Sequence, residues 1–241
     1  MIITATPGAK MNYLIKRRAG TTREELVAHW FANHMPLVID GQQAQKAKGR
    51  LHAWRYIATL FQAGKDGHHA WDGIAQLYWD RALPAPDKPF GDPPGDMFQV
   101  KAEPYYPWAT TEYVVLDGKL SEEANTLNAP YPATRGGLHK VTFLVKARPD
   151  SNFDDFFEHW LEVHAPNVMS ALQQSGGHRY VISHSIEPET APYAGMAELY
   201  FDSENGWRDY LANIEPDGME QWAQDEGTLV LKSDTEMVGI P

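Results

Sequence analysis

An internal repeat constrains the fold of this chain more than any other feature. The motif His-Trp-x-x-x-His-x-Pro-x-Val occurs as HWFANHMPLV at residues 29–38 and again as HWLEVHAPNV at residues 159–168. Residues 11–38 align with residues 141–168 without a gap, and 8 of these 28 positions are identical. A repeat of this length is placed before single elements are interpreted, because it sets the unit that folds.

The similarity between the two copies continues towards their C-terminal ends. DGIAQLYWD (72–80) aligns with AGMAELYFD (194–202), and TEYVV (111–115) aligns with TEMVG (235–239). Two copies of one unit therefore fill nearly the whole chain. The sequence predicts three segments: a first repeat over residues 1–116, a linker over 117–137 and a second repeat over 138–241.

Each repeat shows the same succession of elements. An alternating apolar run predicts a first strand, followed by a helix that begins after a capping residue (Thr21 or Thr22; Ser151 or Asn152) and ends near Val38 or Leu172. Apolar runs then predict two more strands in each copy, near 52–61 and 73–79 and near 178–186 and 195–201. A second helical region and a short last strand complete the β-α-β-β-α-β order of ferredoxin-like units.

The copies differ in the second helical region. ENGWRDYLANI (204–214) and GMEQWAQDE (218–226) are both predicted to be helical in the second copy. The corresponding part of the first copy, RALPAPDKPFGDPPGD (81–96), is too rich in Pro and Gly for a helix and is predicted to be an irregular loop over a pocket mouth.

A sheet with helices on one face leaves its other face to be covered. Two copies in one chain can cover each other. The predicted fold is therefore α+β, with two ferredoxin-like repeats that pair their antiparallel sheets into an intramolecular pseudo-dimeric α/β barrel.

Composition and charge exclude several classes of protein. The net charge of −11 argues against nucleic acid or an anionic membrane as the main partner, because both bind clustered Lys and Arg. The absence of Cys excludes disulfides, thiolate metal sites and Cys nucleophiles. No apolar run approaches membrane-spanning length, and the first ten residues do not resemble a secretory signal, so we expect a cytoplasmic protein.

The second histidine of each motif is the candidate for chemistry. On a helix, Trp30 and His34 share a face, as do Trp160 and His164, and that face should pack on the sheet. A histidine is the polar exception on an otherwise apolar stripe. His29 and His159 lie about 140° from those histidines around the helix, so the two imidazoles of one helix are not expected to share a metal.

Each repeat also carries polar side chains on its second and third strands that are candidates for substrate binding. They are Arg55, Tyr56, Tyr78, Arg179, Tyr180 and Tyr200. Since alternate strand residues face alternate sides, one residue of each Arg-Tyr pair is expected to point towards the helix. Imidazole, phenol and guanidinium together suit the deprotonation of a carbon next to a carbonyl and the binding of the resulting enolate. Cross-strand packing is the alternative role for the tyrosines, and a solvated face is the alternative for the arginines.

The segments KRRAGTTREELVAHWFANHMPLV and VKARPDSNFDDFFEHWLEVHAPNV resemble the first strand and helix of EthD-like proteins of the dimeric α/β-barrel superfamily. The resemblance implies ferredoxin-like units and places the family's helix histidine on His34 and His164. It also implies chemistry without metal, nucleotide or other cofactor. More distant relatives bind haem through a histidine, for which nothing in this sequence argues.

On these grounds we expect a cofactor-independent lyase, cyclase or isomerase that acts on a small aromatic or polyketide-like carbonyl compound. His34 and His164 would be its general bases, and Trp30 and Trp160 would join the strand residues in binding substrate. A cofactor-free monooxygenase and a non-catalytic small-molecule-binding or stress-response protein are the alternatives. Which repeat is active, and whether the chain forms a homodimer, stay open.

Overall fold

The computed structural model describes residues 3–64, 70–118, 120, 124–125 and 132–241. The chain forms two compact units, and each takes up segments from distant parts of the sequence. The N-terminal unit consists of Gly8–Ala109, Glu123–Gly136 and Thr235–Pro241, and the C-terminal unit of Met1–Pro7, Thr110–Glu122 and Gly137–Asp234.

The elements follow the repeat. The first half of the chain contains β1 (Ala9–Ile15), α1 (Arg23–His29), a π-helical segment (Trp30–His34), α2 (Met35–Ala47), β2 (Arg55–Leu60), β3 (Gly73–Trp79), α3 (Met97–Lys101) and β4 (Pro107–Asp117). The short strands β5 (Ala124–Asn125) and β6 (Ala133–Arg135) come next. The second half contains β7 (His139–Ala147), α4 (Phe153–His159), a π-helical segment (Trp160–His164), α5 (Ala165–Gln174), β8 (Gly177–Ser185), β9 (Gly195–Phe201), α6 (Glu204–Asn213), a 3-10 turn (Met219–Gln221), β10 (Ala223–Ser233) and β11 (Thr235–Ile240).

The strands pair antiparallel within each unit. The order is β1-β3-β2-β11-β6-β5 in the N-terminal unit and β10-β7-β9-β8-β4 in the C-terminal unit. β4 pairs with β8, and β11 pairs with β2. Each unit thus receives, beside its own second strand, the last strand of the other repeat. The fold is α+β, as predicted, but the compact units are not the contiguous segments of the sequence repeat.

Local sequence explains how the motif helices begin. Thr22 is the N-cap of α1: its hydroxyl accepts from the Glu25 amide (3.1 Å), and the Glu25 carboxylate accepts from the Thr22 amide (2.9 Å). Asn152 caps α4 in the same position. Both were among the predicted caps, and a capping box of this kind satisfies helix N–H groups that would otherwise lack partners.

Each motif helix is interrupted by a π-helical turn, which the sequence reading did not predict. The Met35 amide donates to the Trp30 carbonyl and the Ala165 amide to the Trp160 carbonyl, five residues back. Proline follows each of these residues and has no N–H, and its ring would clash with the carbonyl four residues back in a regular α-helix. A wider turn relieves that clash, and such turns are frequent at functional sites. The helices also run further than predicted, to Ala47 and Gln174.

The tryptophan of each motif lies at the centre of its unit's core. Trp30 and Trp160 are each 1% exposed. A Cβ at Gly73 would lie 3.0 Å from the Trp30 ring, and one at Gly195 would lie 2.9 Å from the Trp160 ring. The two glycines therefore allow each indole to pack directly against the third strand. This packing agrees with the prediction that the helix face carrying each tryptophan lies against the sheet.

The remaining predictions of local structure have mixed outcomes. Residues 81–96 form no helix, as predicted. The helix predicted over 218–226 is wrong: a 3-10 turn ends at Gln221 and β10 begins at Ala223, because this segment pairs with β7. Much of the predicted linker lies outside the described residues, and its described end forms β6, which pairs with β11. Among the described residues, no helix is long and apolar enough to cross a membrane.

Candidate functional site

A cavity of about 320 Å³ lies between the motif helix and the sheet of the N-terminal unit. Cavities of this size bind small molecules. We call it the first cavity. It is lined by Tyr13, Ile15, Trp30, His34, Val38, Gln42, Tyr56, Ala75, Leu77, Trp79, Leu83, Phe90, Phe98, Gln99 and Tyr105. Leu83 and Phe90 come from the Pro-rich loop, which therefore forms part of the cavity wall.

His34 is the one imidazole among the described residues that line the first cavity, and a carboxylate holds it. Its Nδ1 lies 2.6 Å from Oδ2 of Asp96, and its ring packs on Phe98 with centroids 4.5 Å apart. Asp96 is itself fixed, because its other oxygen accepts from the Gln99 amide (2.9 Å) at the start of α3. A carboxylate only accepts, so Nδ1 carries the proton, and in the neutral imidazole Nε2 then keeps its lone pair.

Three tyrosines supply hydroxyl groups to the first cavity. Trp30 Nε1–H donates to the Tyr56 hydroxyl oxygen (2.9 Å), and Gln99 Nε2–H donates to the Tyr105 hydroxyl oxygen (3.4 Å). Burial raises the pKa of Tyr105 to about 12 and raises the pKa values of Tyr13 and Tyr56 still further. All three phenols therefore stay protonated over the physiological pH range, and each keeps an O–H that can donate to a ligand.

The C-terminal unit repeats the arrangement around a second cavity of about 270 Å³. Its lining residues are Phe143, Val145, Trp160, His164, Val168, Tyr180, Ala197, Leu199, Tyr210, Met219, Ala223, Gln224, Asp225, Thr228 and Val230. The first eight match lining residues of the first cavity in the alignment of the two repeats. The two cavities thus have the same floor and helix wall, and they differ in the segments that close them.

His164 is paired in the same way as His34. Its Nδ1 lies 2.8 Å from Oδ2 of Asp217, which also accepts from Asn167 Nδ2–H (2.7 Å), while the other carboxylate oxygen accepts from the Met219 amide (3.2 Å). Burial alone would raise the pKa of Asp217. The hydrogen bonds from His164, Asn167 and Met219 outweigh burial and hold that pKa well below its usual range. This carboxylate is therefore a permanent anion beside the imidazole.

The two cavities differ at the tryptophan–tyrosine pair. Trp30 and Tyr56 are hydrogen-bonded, but the equivalent Trp160 Nε1 and Tyr180 hydroxyl have no hydrogen-bond partner among the described residues. The Trp160 N–H partly offsets the effect of burial, which raises the pKa of Tyr180. The two groups are thus near each other without meeting hydrogen-bond geometry.

Six of the ten predicted site residues line the two cavities, and four lie elsewhere. Trp30, His34 and Tyr56 meet at the first cavity, and Trp160, His164 and Tyr180 meet at the second. The tyrosine of each Arg-Tyr pair is the residue that points towards the helix.

The other four predicted site residues border neither cavity. The Arg55 guanidinium lies 5.4 Å from the ring centroids of Trp54 and Tyr78, and Arg179 forms an ion pair with Asp117. The ammonium of Lys140 lies 4.9 Å from the Tyr200 ring centroid. These positions give no support to a role of the four residues in binding substrate, and that role stays a prediction.

The first histidine of each motif lies apart from the cavities. His29 Nδ1 is 2.7 Å from Asn33 Oδ1 on the exposed side of the helix. His159 packs on Trp222, with ring centroids 4.4 Å apart, and its Nε2 is 3.9 Å from Asp217. Among the described residues, no group of three or more His, Asp or Glu side chains is placed to hold a metal ion.

The sequence reading missed the two aspartates that hold the histidines. Both occur in a short matching segment, PGDMFQ at 94–99 and PDGMEQ at 216–221. Asp and Gly are exchanged between these copies, so a gap-free alignment places Asp96 opposite Gly218 and hides the equivalence. The conserved spacing of Pro, Met and Gln in the two copies is the signal that would have revealed it.

One known protein family matches part of this chain. Residues 148–233 match the model of the EthD domain, and this range includes His164, Asp217 and most of the second cavity's lining. Comparison with curated protein sequences gives no match.

Solved structures with a similar fold include a protein provisionally named chlorite dismutase, with a TM-score of 0.53, 13% identity and coverage of 96% of this chain and 95% of that chain. A mutant chlorite dismutase from Candidatus Nitrospira defluvii gives a TM-score of 0.44 at 8% identity, covering 95% of this chain and 92% of that one. A protein provisionally named monooxygenase from Lactobacillus acidophilus also gives 0.44 at 8% identity, covering 95% and 94%. At these identities the likeness concerns the fold. The chain is thus similar to an EthD domain over residues 148–233, and its fold is similar to that of the first of these solved structures.

Proposed function

We propose that the protein is a cofactor-independent enzyme that uses His34 and His164 as general bases on a small aromatic or polyketide-like carbonyl compound. One observation carries this proposal: in both units the motif histidine borders an aromatic cavity while a partly buried carboxylate holds its Nδ1. A histidine with a purely structural role in a core needs only hydrogen-bond partners for its ring nitrogens. A histidine whose second nitrogen is left to a cavity is arranged for proton transfer.

The proposed step is removal of a proton from the carbon next to the substrate carbonyl. Nε2 of the histidine takes the proton, and the electron pair of the C–H bond moves into the enolate. The aspartate stabilises the imidazolium that forms and holds the ring in the tautomer that can accept. Return of the proton to another carbon gives isomerisation, and attack of the enolate carbon on a second carbonyl gives cyclisation.

The tyrosine hydroxyls are suited to bind the oxygen on which negative charge develops. Tyr13, Tyr56 and Tyr105 remain protonated in the first cavity because burial raises their pKa values. A neutral donor in an apolar cavity stabilises an enolate oxygen more than the carbonyl oxygen that precedes it. Neither lining contains Lys or Arg, so a neutral substrate is favoured over a carboxylate or phosphate.

We also infer that each repeat is a ferredoxin-like unit. In the C-terminal unit β7 and β8, which are joined through the motif helix, are separated in the sheet by β9; β1 and β2 are separated in the same way by β3. This split βαβ arrangement supports the inference. The closure of the sheets into one barrel, and the formation of a homodimer, stay predictions.

The experiment is proton–deuterium exchange at the methyl group of acetophenone in D2O, followed by ¹H NMR. We expect the protein to accelerate this exchange, and we expect the His34→Gln/His164→Gln variant to lose roughly a factor of 10²–10⁴, the usual contribution of a general base. Retained exchange in the folded double variant would remove both histidines from the mechanism.

Two further readings of the same samples separate the alternatives. If oxygen is consumed in proportion to substrate, the protein is a monooxygenase and not an enzyme that only moves protons. An intense absorption band near 400 nm in the purified protein would reveal a haem and contradict cofactor independence. Absence of exchange with acetophenone and with larger aromatic ketones would favour the non-catalytic binding protein.

A further inference from the structure

Two buried hydrogen-bond donors at the second cavity have no hydrogen-bond partner among the described residues. Trp160 is 1% exposed and Tyr180 is 0% exposed, and both side chains line the cavity. Neither Trp160 Nε1 nor the Tyr180 hydroxyl makes a hydrogen bond within the described residues. Leaving a buried polar group unsatisfied costs roughly 1–3 kcal/mol, so two such groups at one cavity call for an explanation.

In the first cavity the equivalent tryptophan and tyrosine are hydrogen-bonded to each other. There the Trp30 N–H donates to the Tyr56 hydroxyl at 2.9 Å. In the second cavity the Trp160 N–H does not reach the Tyr180 hydroxyl oxygen with hydrogen-bond geometry, so the indole N–H has no acceptor among the described residues. Two donors that converge on a cavity can share a single acceptor oxygen, as the donors of an oxyanion hole do.

The charges around the second cavity restrict what that acceptor can be. Asp225 lines the cavity and Asp217 lies behind His164, whereas no Lys or Arg lines it. Carboxylate and phosphate ligands would be repelled. The rest of the wall is mainly apolar and aromatic, which suits a small uncharged ring compound.

We infer that the second cavity binds a neutral aromatic ketone or aldehyde with its carbonyl oxygen between Trp160 Nε1 and the Tyr180 hydroxyl. This deepens the proposed function, because it specifies how one of the two cavities holds the substrate oxygen. It also makes the cavities unequal: the second offers an indole donor to the ligand, and the first has already used its indole donor.

The test uses a matched pair of probes on the full-length protein. Acetophenone carries the carbonyl oxygen, and α-methylstyrene has the same shape with a CH2 group in its place. Binding is followed through the ¹H–¹⁵N signals of the tryptophan side chains, with the signals of Trp30 and Trp160 identified by their loss in Trp30→Phe and Trp160→Phe. Acetophenone is expected to move the Trp160 N–H signal downfield, and α-methylstyrene is not.

Affinity gives the second readout. Two hydrogen bonds gained on binding predict a preference for acetophenone of roughly 5- to 150-fold over α-methylstyrene at this site. Tyr180→Phe is expected to remove most of that preference, and Tyr56→Phe in the first unit is expected to leave the Trp160 response unchanged. Circular dichroism of each variant confirms that the fold is retained.

Several outcomes would overturn the inference. Equal effects of the two probes on the Trp160 signal would show an apolar cavity without an oxygen site. A Trp160 signal that stays still up to the solubility limit of acetophenone would show that water or packing satisfies the donors. Since His34→Gln and His164→Gln should retain this binding while losing proton exchange, failure here is distinguishable from failure of the proposed function.

Discussion

Asp96 and Asp217 determine which nitrogen of each histidine can act as a base. With a carboxylate on Nδ1, the proton stays there and Nε2 accepts. Asparagine has nearly the same shape but also offers an N–H₂ donor, so it can hold the opposite tautomer, in which Nε2 is protonated. An Asp→Asn substitution therefore changes the tautomer of the histidine while leaving the packing around it nearly the same.

We predict that the Asp96→Asn/Asp217→Asn variant loses acetophenone exchange by a factor on the order of 10², within the range that a general base contributes. The measurement is the exchange rate by ¹H NMR together with the histidine tautomers from ¹⁵N shifts. Asp225→Asn is the control, because Asp225 lines the second cavity without contacting His164. An unchanged rate with Nε2 protonated would exclude the histidines as bases.

His184, which lies outside both motifs, is a buried histidine whose pKa is strongly lowered. It is 4% exposed and stacks on Phe157 with ring centroids 4.1 Å apart, and burial lowers its pKa to about 3. Leu60 occupies the matching position of the first repeat, since both residues pair with the glycine that begins the third strand.

The sign of its effect on stability follows from these pKa values. Above pH 6.5 His184 is neutral in both states and has no effect. As pH falls from 6.5 towards 3, the unfolded chain binds a proton that the folded chain does not, and stability falls by up to about 1.4 kcal/mol per pH unit. We predict that His184→Leu removes this component from urea-unfolding free energies measured between pH 7 and 4. Parallel pH dependences of wild type and variant would contradict the assignment.

At the scale of elements, the contact between each motif helix and its sheet depends on a glycine. A Cβ at Gly73 would lie 2.6 Å from the Thr59 carbonyl oxygen, and one at Gly195 would lie 2.7 Å from the Ser183 carbonyl oxygen. The indole ring is also about 3 Å from each added Cβ, so the methyl group would meet both the backbone and the ring. The tryptophan and the glycine therefore work as one packing unit in each repeat.

We predict that Gly73→Ala and Gly195→Ala each destabilise the fold by about 1–3 kcal/mol, the usual cost of overpacking a core. Gly41→Ala is the matched control. Gly41 lies within α2 with nothing within 4 Å of the added Cβ, so this change should stabilise by roughly 0.5–1 kcal/mol. Chemical denaturation measures all three. A neutral effect of both core substitutions would refute the close approach of helix and sheet.

At the scale of the whole molecule, the two sequence repeats exchange their last strands. β11 follows β10 directly in sequence but pairs with β2 in the N-terminal unit, whereas β10 pairs with β7 in the C-terminal unit. A change in β11 should therefore loosen the sheet of the first repeat, in which β11 pairs, whereas a change in β10 should loosen the sheet of its own repeat.

We predict that Met237→Ala in β11 speeds hydrogen exchange in β2, and that Leu231→Ala in β10 speeds it in β7. Both side chains are buried, at 1% and 5% exposure, and such truncations typically cost 2–5 kcal/mol. Hydrogen exchange with mass spectrometry resolves the two strands. If Met237→Ala loosened β7 and left β2 protected, the strand exchange would be wrong.

The sequence predicted those parts of the molecule that local patterns determine. The strands at 55–60 and 73–79 follow from apolar periodicity, and the caps at Thr22 and Asn152 follow from residue type at the start of a helix. The sequence also places His34 and His164 on the helix face of the buried tryptophans, but it left open whether that face borders a cavity or a packed core. Other features depend on partners distant in sequence. β10 exists because β7 pairs with it, β11 joins the other repeat's sheet, and Asp96 meets His34 across 62 residues. No local pattern encodes these contacts.

The central claim is that two imidazoles act as bases in these cavities, and chemical rescue tests it most directly. The His34→Ala/His164→Ala variant leaves space beside both aspartates that free imidazole can enter. We predict that this variant loses acetophenone exchange and that added imidazole restores it well beyond the exchange that imidazole produces alone in solution. Exchange by the folded variant at the wild-type rate without imidazole would contradict the claim.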